Sequence, residues 1–461
     1  MATGKIEFGT DGFRGIIADN FTFENVGKIT NGIIKYIKDN VCSKESVLIA
    51  YDPRFMADEF AKFSAEILKN AGFKVMLTNC VCPTPIVAFG ATVAKSSAGA
   101  IMFTASHNPK NYLGMKFIPN YGGPATKEIT DIIAKNIEEG FVADFCEGGE
   151  IIMSDFREVY FSHLENLIDF ETIKKANVKF IYDGLFSASI GSFDEILKKH
   201  NINFEIFNDK YDPNFGGFLP EPKPKFMKNF KNGYLTFAND GDADRYGVID
   251  ENNEWVNPNE ILAILLKYLV EFKNKQAKMI KTVGVSALVD VVAQKLGIET
   301  ITTPVGFKWL SEKMRENDTI LAGEDSGGLS VGEHIPEKDG IFANLLILEM
   351  VATTQKPLCQ LRQELLAFAG VNFYCDRVDV KLNSKEQMAQ IQEKFLTMQQ
   401  IAGFDIVETL KIDGAKFYLG NEKLNWVLMR PSGTEPLLRF YIESDNTQTL
   451  DEIKEFIKAN A

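Results

Sequence analysis

The segment Ala98-Gly-Ala-Ile-Met-Phe103 is an apolar run with the character of a buried β-strand, and Thr104-Ala-Ser106-His-Asn-Pro109 follows it directly. Before it, two more strand-like runs flank a stretch whose apolar residues recur at helical spacing: Ser46 to Ala50, Ala57 to Asn70 and Lys74 to Thr78. Alternation of strands with amphipathic helices is typical of α/β folds with parallel or mixed sheets. We therefore predict an α/β fold in which Ala98 to Phe103 is a strand of the sheet.

The turn after this strand is the first candidate for chemistry. Asn108-Pro109 favours a turn, which should leave the Ser106 side chain exposed at the end of a rigid strand. A nucleophilic hydroxyl group would suit this place. An ordinary exit from a strand into a turn has the same pattern, so the hexapeptide alone leaves both interpretations open.

Three carboxylates at alternate positions form a second candidate site, Asp240-Gly-Asp242-Ala-Asp244-Arg245. Like charges this close require a counterion, and oxygen ligands without nearby Cys or His favour Mg²⁺ over Zn²⁺. An EF-hand calcium loop is excluded, because its sixth position should be Gly rather than Arg245 and the flanks alternate like strands. A solvated acidic loop without metal is the remaining alternative.

Two further loops contain groups that could bind a sugar phosphate. In Arg430-Pro-Ser432-Gly433-Thr434-Glu-Pro436, glycine permits close approach of the backbone, and the hydroxyl groups together with Arg430 and Arg439 could hold a phosphate. In Gly323-Glu324-Asp-Ser326-Gly-Gly328, carboxylate and hydroxyl groups could bind neighbouring sugar hydroxyls. A hairpin turn and a surface turn are the structural alternatives.

Together the four segments resemble the signature loops of the alpha-D-phosphohexomutase family, in the same order and over the whole chain. Phe8-Gly-Thr-Asp-Gly-Phe-Arg14-Gly15 is similar to the family's amino-terminal signature. The resemblance implies that Ser106 carries a phosphoryl group and shares in metal binding, and that Mg²⁺ is held by Asp240, Asp242 and Asp244. It also implies that sugar hydroxyls bind Glu324 and Ser326, and that the non-reacting phosphate binds Arg430, Ser432, Gly433 and Thr434.

The residues that move protons are less clearly marked. Lys116 resembles a lysine that follows the serine loop and is our candidate general base, with Arg14 lowering its proton affinity by like-charge repulsion. His107 is a second catalytic candidate, but neighbouring side chains on an extended segment point in opposite directions, so a structural role is the alternative. For His334 we predict a surface position, with a contact to the substrate as the alternative. Further substrate contacts are expected from Arg245, Lys308 and Arg439.

The resemblance implies a four-domain fold, with three similar α/β domains of mixed sheets and a smaller C-terminal α+β domain around a central cleft. We place the phosphoserine loop in a domain of residues 1–150 and the metal loop in residues 151–254. The sugar loop belongs to residues 255–369 and the phosphate loop to residues 370–461.

The implied activity is reversible transfer of a phosphoryl group between the 1- and 6-positions of a glucose or mannose phosphate, or both. It would proceed through phosphoserine and a hexose 1,6-bisphosphate, which also serves as activator. Gly328 stands where some family members have histidine, so the ring-hydroxyl preference is open and phosphoglucosamine mutase is the nearest alternative. A phosphatase that uses the same serine and a non-catalytic sugar-phosphate sensor are the alternatives from other classes.

Composition agrees with a cytoplasmic enzyme that acts on small metabolites. The 461 residues exceed the size of a single core, no apolar stretch approaches a bilayer span, and the beginning lacks the pattern of a signal peptide. A net charge of -13 disfavours nucleic acid and anionic membranes as partners. Six scattered cysteines predict reduced, mostly buried thiols. We expect hexose phosphates as partners and a monomer or homodimer.

The same net charge opposes the binding of an anionic hexose phosphate. Cationic residues are concentrated in or beside the motifs: Arg14, Lys116, Arg245, Lys308, Arg430 and Arg439. Together with Mg²⁺, these residues would supply the local attraction that the whole molecule does not.

Overall fold

A computed structural model describes residues 6, 12–41, 46–420, 423–432 and 436–461. The chain divides into two compact units. The first contains Met1–Val256, Leu310–Ala322 and Ser326–Cys359. The second contains Asn257–Trp309, Gly323–Asp325 and Gln360–Ala461.

The amino-terminal part of the first unit is a mixed sheet with helices. Its elements are β1 (Phe13–Ile16), α1 (Phe23–Asn40), β2 (Ser46–Tyr51), α2 (Ala57–Asn70), β3 (Lys74–Thr78), α3 (Thr84–Val93), β4 (Ser97–Phe103), β5 (Tyr112–Pro119), α4 (Lys127–Glu138) and β6 (Glu150–Ser154). The strand order is β1-β5-β4-β2-β3-β6. β2 pairs in parallel with β3 and β4, whereas β5 pairs antiparallel with β4 and β1. The strands and helix predicted between residues 46 and 103 are therefore confirmed.

The next part of the first unit has a smaller mixed sheet. Its elements are α5 (Arg157–Leu167), α6 (Phe170–Ala176), β7 (Phe180–Asp183), α7 (Phe193–Lys199), β8 (Glu205–Phe207), a 3-10 turn (Phe215–Gly217), β9 (Leu235–Asn239) and β10 (Tyr246–Ile249). The order is β10-β9-β7-β8, with β7 parallel to β8 and β9, and β10 antiparallel to β9. The metal-loop candidate connects β9 to β10.

The third part of the chain again alternates strands and helices. Its elements are α8 (Pro258–Glu271), β11 (Lys278–Thr282), α9 (Ala287–Lys295), β12 (Thr300–Thr303), α10 (Phe307–Glu316), β13 (Thr319–Gly323), β14 (Leu329–Ser330), α11 (Gly340–Thr354) and α12 (Leu358–Ala369). Within the second unit, β11 is parallel to β12. α11 is buried from Gly340 to Ala352 on every face, which explains why its sequence is apolar without a polar stripe.

The last part of the second unit is an antiparallel sheet with two helices. Its elements are β15 (Tyr374–Lys381), α13 (Lys385–Thr397), β16 (Gln400–Ile401), β17 (Phe404–Leu410), β18 (Ala415–Leu419), β19 (Asn425–Pro431), β20 (Leu437–Ser444) and α14 (Thr447–Asn460). The order is β15-β20-β19-β18-β17-β16. Phe395, Phe440 and Ile453 lie in the core between sheet and helices. This α+β part agrees with the predicted fold class.

Two other expectations can be compared with the described residues. No helix among them is long and apolar enough to cross a membrane. The prediction of mostly buried thiols is wrong: Cys82 is buried, Cys80 and Cys359 are partly exposed, and Cys146 and Cys375 are exposed. Cys42 lies outside the described residues. The domain bounds at residues 150, 254 and 369 stay predictions.

Candidate active site

Ser106 lies just after β4 in a left-handed backbone conformation, with φ of 49°. Such a conformation is uncommon for a non-glycine residue and requires support from its surroundings. Thr104 Oγ1 supplies part of it by accepting a hydrogen bond from Ser106 N at 2.8 Å. The expectation of an exposed side chain is wrong, because Ser106 is only 2% exposed.

The Ser106 hydroxyl is held by two neighbouring groups. Its Oγ donates to Asp240 Oδ2 at 2.8 Å and lies 3.2 Å from His107 Nδ1. The prediction that the Ser106 and His107 side chains diverge is wrong, because the left-handed conformation at Ser106 replaces the extended geometry on which it depended. Burial, followed by the positive charges of Arg245 and Arg14, lowers the pKa of His107 to about 2, so its ring is neutral near pH 7.

Arg54 supports the serine loop through hydrogen bonds to main-chain carbonyl groups. The sequence analysis did not identify this residue. Its guanidinium group donates to four carbonyl oxygens, those of Ser106 and Asn108 at 2.7 Å, Pro109 at 2.8 Å and Tyr112 at 2.9 Å. Arg54 Nε also donates to Asp52 Oδ2 at 3.2 Å, and both side chains are fully buried. The available signal was the charged pair Asp52 and Arg54 directly after β2, at the end where ligand loops gather in α/β sheets.

Asp52 connects Arg54 to the nucleophile strand. Its Oδ2 accepts from Thr104 Oγ1 at 2.6 Å, and its Oδ1 accepts from Arg54 N at 3.0 Å. Burial raises the pKa of Asp52 to about 6, although Arg54 and Thr104 act in the opposite direction. Thr104 therefore orients Ser106 while being oriented itself by a buried ion pair.

The three aspartates converge after β9, as predicted. Asp240, Asp242 and Asp244 are buried, and their nearest carboxylate oxygens all lie within 4.8 Å of one another. Gly241 permits this placement, because a Cβ on it would lie 2.4 Å from Ser106 O. Burial, and then the charges of Asp244 and Asp242, raise the pKa of Asp240 well above its usual value.

A divalent cation fits this donor set. Among the described residues, Oδ1 of Asp242 and Oδ1 of Asp244 are buried without a hydrogen-bond partner. Unpartnered buried carboxylate oxygens are costly, and a hard cation such as Mg²⁺ would satisfy both. Asp242 is kept ionised: burial raises its pKa, but Lys116 and the Thr84 hydroxyl, which donates to Asp242 Oδ2 at 2.7 Å, bring it below the usual value.

Two lysines approach the triad from different parts of the first unit. Lys116 Nζ donates to Asp242 Oδ2 at 3.0 Å and lies 3.7 Å from Asp244 Oδ2, which Lys338 Nζ approaches to 2.8 Å. The expected decrease in proton affinity at Lys116 is wrong. Burial and Arg14 do lower its pKa, but Asp242 and Asp244 outweigh them and raise it. Sequence analysis missed Lys338, because its segment follows the sugar loop and carries no signal for a contact with the metal loop.

Arg14 and Arg245 lie beside the same cluster. Arg14 donates to Asn108 Oδ1 at 2.6 Å, within the serine loop. Arg245 N donates to Asp240 Oδ1 at 3.0 Å, and Arg245 Nε lies 3.9 Å from Asp244 Oδ1. Both cations therefore lie where a phosphoryl group on Ser106 would be attracted.

His334 is not at the surface, so that prediction is wrong. Its ring is buried, with Nε2 2.8 Å from Asp339 Oδ2 and Nδ1 3.0 Å from His163 Nε2. Tyr160 also donates to Asp339 Oδ2 at 2.6 Å. This network fixes the residue that directly follows Lys338 in the chain.

The second unit brings several predicted sugar and phosphate contacts together. Gly306 N donates to Glu324 Oε1 at 3.0 Å, and Val305 N donates to Asp413 Oδ2 at 3.2 Å. The same Asp413 oxygen lies 2.7 Å from the Arg430 guanidinium group, and Arg430 lies directly opposite Arg439 in the sheet. The predicted phosphate residue Arg430 is thus joined to the turn that contacts Glu324.

The remaining predicted contacts are placed as follows. Lys308 Nζ lies 4.8 Å from the centre of the Trp309 ring. Ser432 is buried and its N donates to Leu437 O at 2.8 Å, whereas Ser326 is exposed. Gly433 and Thr434 lie outside the described residues. The amino-terminal signature is described only from Gly12 onward.

Comparison with known proteins relates the whole chain to one family. The alpha/beta/alpha domains I, II and III of phosphoglucomutase/phosphomannomutase match residues 5–142, 158–253 and 257–368. The C-terminal domain of the same family matches residues 377–460.

Individual relatives match nearly the full length. A phosphoglucomutase of Komagataeibacter xylinus is 26% identical over 96% of this chain and 88% of its own length. A phosphoglucosamine mutase of Clostridium botulinum (strain Alaska E43 / Type E3) is 30% identical over 97% of this chain and 96% of its own. A solved structure from Thermus thermophilus, provisionally named a phosphomannomutase, is 31% identical, with a TM-score of 0.86 and 99% of both chains covered.

Proposed function

The chain belongs to the phosphoglucomutase/phosphomannomutase family and is a phosphohexomutase, and we propose that it moves a phosphoryl group reversibly between the 1- and 6-positions of a glucose or mannose phosphate. The proposed reaction passes through phosphorylated Ser106 and a hexose 1,6-bisphosphate, which is also the proposed activator. The proposal depends chiefly on one observation: Ser106 Oγ lies 2.8 Å from a carboxylate of a buried aspartate triad with unpartnered oxygens.

The proposed transfer uses one hydroxyl group twice and consumes no water. The free 6-hydroxyl of a hexose 1-phosphate attacks the phosphorus on Ser106, the bond between phosphorus and Oγ breaks, and a 1,6-bisphosphate forms. After the bisphosphate reverses its orientation, Oγ takes the phosphoryl group from the 1-position and leaves a 6-phosphate. The two transfers are chemically alike, which is why one serine can serve both.

Charge placement around Ser106 supports this transfer. Mg²⁺, held by Asp240, Asp242, Asp244 and an oxygen on Ser106, would when bound neutralise charge on the transferring phosphoryl oxygens. Lys338, Arg14 and Arg245 add positive charge in or beside the same cluster. Local attraction thus overcomes a net charge of -13 for the whole chain.

Proton transfer and orientation of the nucleophile are assigned to two different residues in this proposal. Lys116 is the proposed general base for the sugar hydroxyl. Because Asp242 and Asp244 raise its pKa, its Nζ is protonated near pH 7 and can accept the hydroxyl proton only after its own proton has passed to water. His107 orients the nucleophile: since Ser106 Oγ already donates to Asp240, the neutral ring donates from Nδ1 to Oγ.

The metal site can be tested without an activity assay. Millimolar Mg²⁺ is expected to raise the apparent Tm of protein stripped with EDTA by about 2–5 °C, because a ligand that binds only the folded state stabilises it. In Asp242→Asn the rise should be lost, since one buried ligand charge is removed. Ser64→Ala, at a buried serine that contacts Thr30 instead, is the matched control and should respond like wild type. An equal Tm rise in Asp242→Asn would contradict the assigned ligands.

The space beside Gly328 bears on which side chains can contact the sugar. A Cβ on this residue would lie 2.4 Å from Lys338 Cδ, so the Lys338 side chain occupies the room that a larger residue would need. The ring is therefore expected to be recognised mainly by Glu324 and Ser326 rather than by an imidazole at position 328. We propose glucose and mannose phosphates as the substrates, with glucosamine phosphate as the alternative.

A competition assay separates these possibilities. With glucose, mannose and glucosamine 1-phosphates supplied together, we expect glucose 1-phosphate to be converted to its 6-phosphate at least as fast as the amino sugar, with little release of inorganic phosphate. A strong preference for glucosamine 1-phosphate would contradict the sugar assignment. Continuous release of inorganic phosphate, unaffected by added glucose 1,6-bisphosphate, would instead identify a phosphatase. The monomeric or dimeric state and the cytoplasmic location stay predictions.

A further inference from the structure

A cluster of buried charged side chains lies in the second unit and contains none of the residues assigned to the proposed reaction. Glu443 on β20 is 0% exposed. Its Oε1 accepts from Ala287 N and from Trp426 Nε1, both at 2.7 Å, and its Oε2 accepts from Cys375 Sγ at 3.2 Å. Ala287 is the first residue of α9, so a carboxylate from the C-terminal sheet caps a helix of another part of the chain.

Lys416 on β18 reaches the same place. It is 1% exposed, donates from Nζ to Val283 O at 3.0 Å and lies 3.7 Å from the centre of the Trp426 ring. Burial, and then the nearby charge of Lys281, lower the pKa of Lys416 to about 7. Apolar side chains, including Val283, Trp426 and Leu428, surround these contacts.

The turn between Val283 and Ala287 also adjoins the predicted sugar loop. A Cβ on Gly284 would lie 3.2 Å from Asp325 Oδ1, and Asp325 directly follows Glu324. On the other side, β19 runs from Trp426 to Arg430, the predicted phosphate contact. The C-terminal sheet, which carries Arg430, therefore meets the turn next to Glu324 at this cluster. The side chains at the contact are those of Lys416, Trp426 and Glu443.

Stability alone does not account for charged groups at this place. Replacing a buried ionic cluster by apolar residues of similar volume is often neutral or stabilising, so such a cluster is weak evidence for a stabilising role. Buried polar and ionic contacts are directional, and in some proteins they fix one relative placement of the parts that they join.

We propose that Lys416 and Glu443 are positioning residues that hold the C-terminal sheet on the 283–287 turn and so set Arg430 relative to Glu324 for a hexose phosphate. This inference rests on the proposed function for its substrate, but the contacts themselves can be tested separately. Neither residue is a catalytic residue, because both act through the loops that they hold.

The kinetic test compares Lys416→Met and Glu443→Leu with the conservative Glu443→Gln. We expect the first two to raise the KM for glucose 1-phosphate about tenfold while kcat changes less than about threefold, because binding is lost and the transfer step is kept. Glu443→Gln should stay near wild type, since its amide oxygen can still accept from Ala287 and Trp426. Ser444→Ala is the matched control: Ser444 is the next residue on β20, equally buried, and contacts Asn425 instead.

Hydrogen exchange supplies a measurement that needs no turnover. The Ala287 amide should exchange at least about tenfold faster in Glu443→Leu than in wild type, Glu443→Gln or Ser444→Ala, because its acceptor is removed. Unchanged exchange, or faster exchange with an unchanged KM and a lower kcat, would overturn the inference. If the wild type does not isomerise hexose phosphates but hydrogen exchange responds as expected, the proposed function is refuted. The contact of Glu443 with the 283–287 turn is still supported in that case.

Discussion

Ser106→Ala is expected to reduce kcat for the interconversion of glucose 1-phosphate and glucose 6-phosphate by at least about 10⁴-fold. The reason is chemical: alanine cannot carry a phosphoryl group, and among the described residues the hydroxyl group that donates to Asp240 is that of Ser106. Folding should be little affected, because the side chains of Thr104 and Arg54 bind the main-chain N and O atoms of residue 106, which alanine retains.

Ser97→Ala is the matched control for this variant. Ser97 lies at the other end of β4, where its Oγ accepts from Gly99 N at 3.1 Å and has no part in the cluster. Intact-mass measurement after incubation with glucose 1,6-bisphosphate should add one phosphoryl group to wild type and to Ser97→Ala, located on the peptide that contains Ser106. Ser106→Ala should gain none. Full turnover by Ser106→Ala would refute the proposed mechanism.

Arg54→Met is expected to produce the largest loss of stability, about 3–5 kcal/mol in the free energy of unfolding of the first unit. Three carbonyl oxygens of the serine loop and that of Tyr112 lose their donor, and Asp52 is left as a buried carboxylate without its ion-pair partner. Because the loop also loses its support, activity should fall further than the decrease in folded protein explains. Denaturant titration together with kcat per folded molecule would measure both effects.

Two companion variants sharpen this test. Arg315→Met removes an exposed arginine that lies 4.0 Å from the Tyr121 ring, and should cost less than about 1 kcal/mol. Adding Asp52→Asn to Arg54→Met should recover part of the lost stability, because the unpaired buried charge is removed. If Arg54→Met were no less stable than Arg315→Met, the supporting role of Arg54 would be disproved.

Much of the fold was readable from local pattern. The strand-like runs from Ser46, Lys74 and Ala98 and the helix from Ala57 to Asn70 occur as predicted. The helix buries one face, which imposes a period on its sequence, whereas β2 and β4 are buried on both faces and are continuous apolar runs. The aspartate triad could also be predicted from the sequence, because residues at alternate positions on a short loop cannot be far apart. Misjudged features depended on distant neighbours, as with the buried His334 and the raised pKa of Lys116.

The sequence by itself determined which chemical groups are available and which segments become strands and helices, because both depend on residues close together in the chain. Only the tertiary structure decided which groups meet. Ser106 contacts Asp240 across 134 positions, and Arg54 reaches the serine loop across more than 50. Lys338 and Glu443 carry no local sign of their partners. The physical reason is that contact, burial and charge environment are set by segments that folding brings together, and these quantities decide what an ordinary side chain can do.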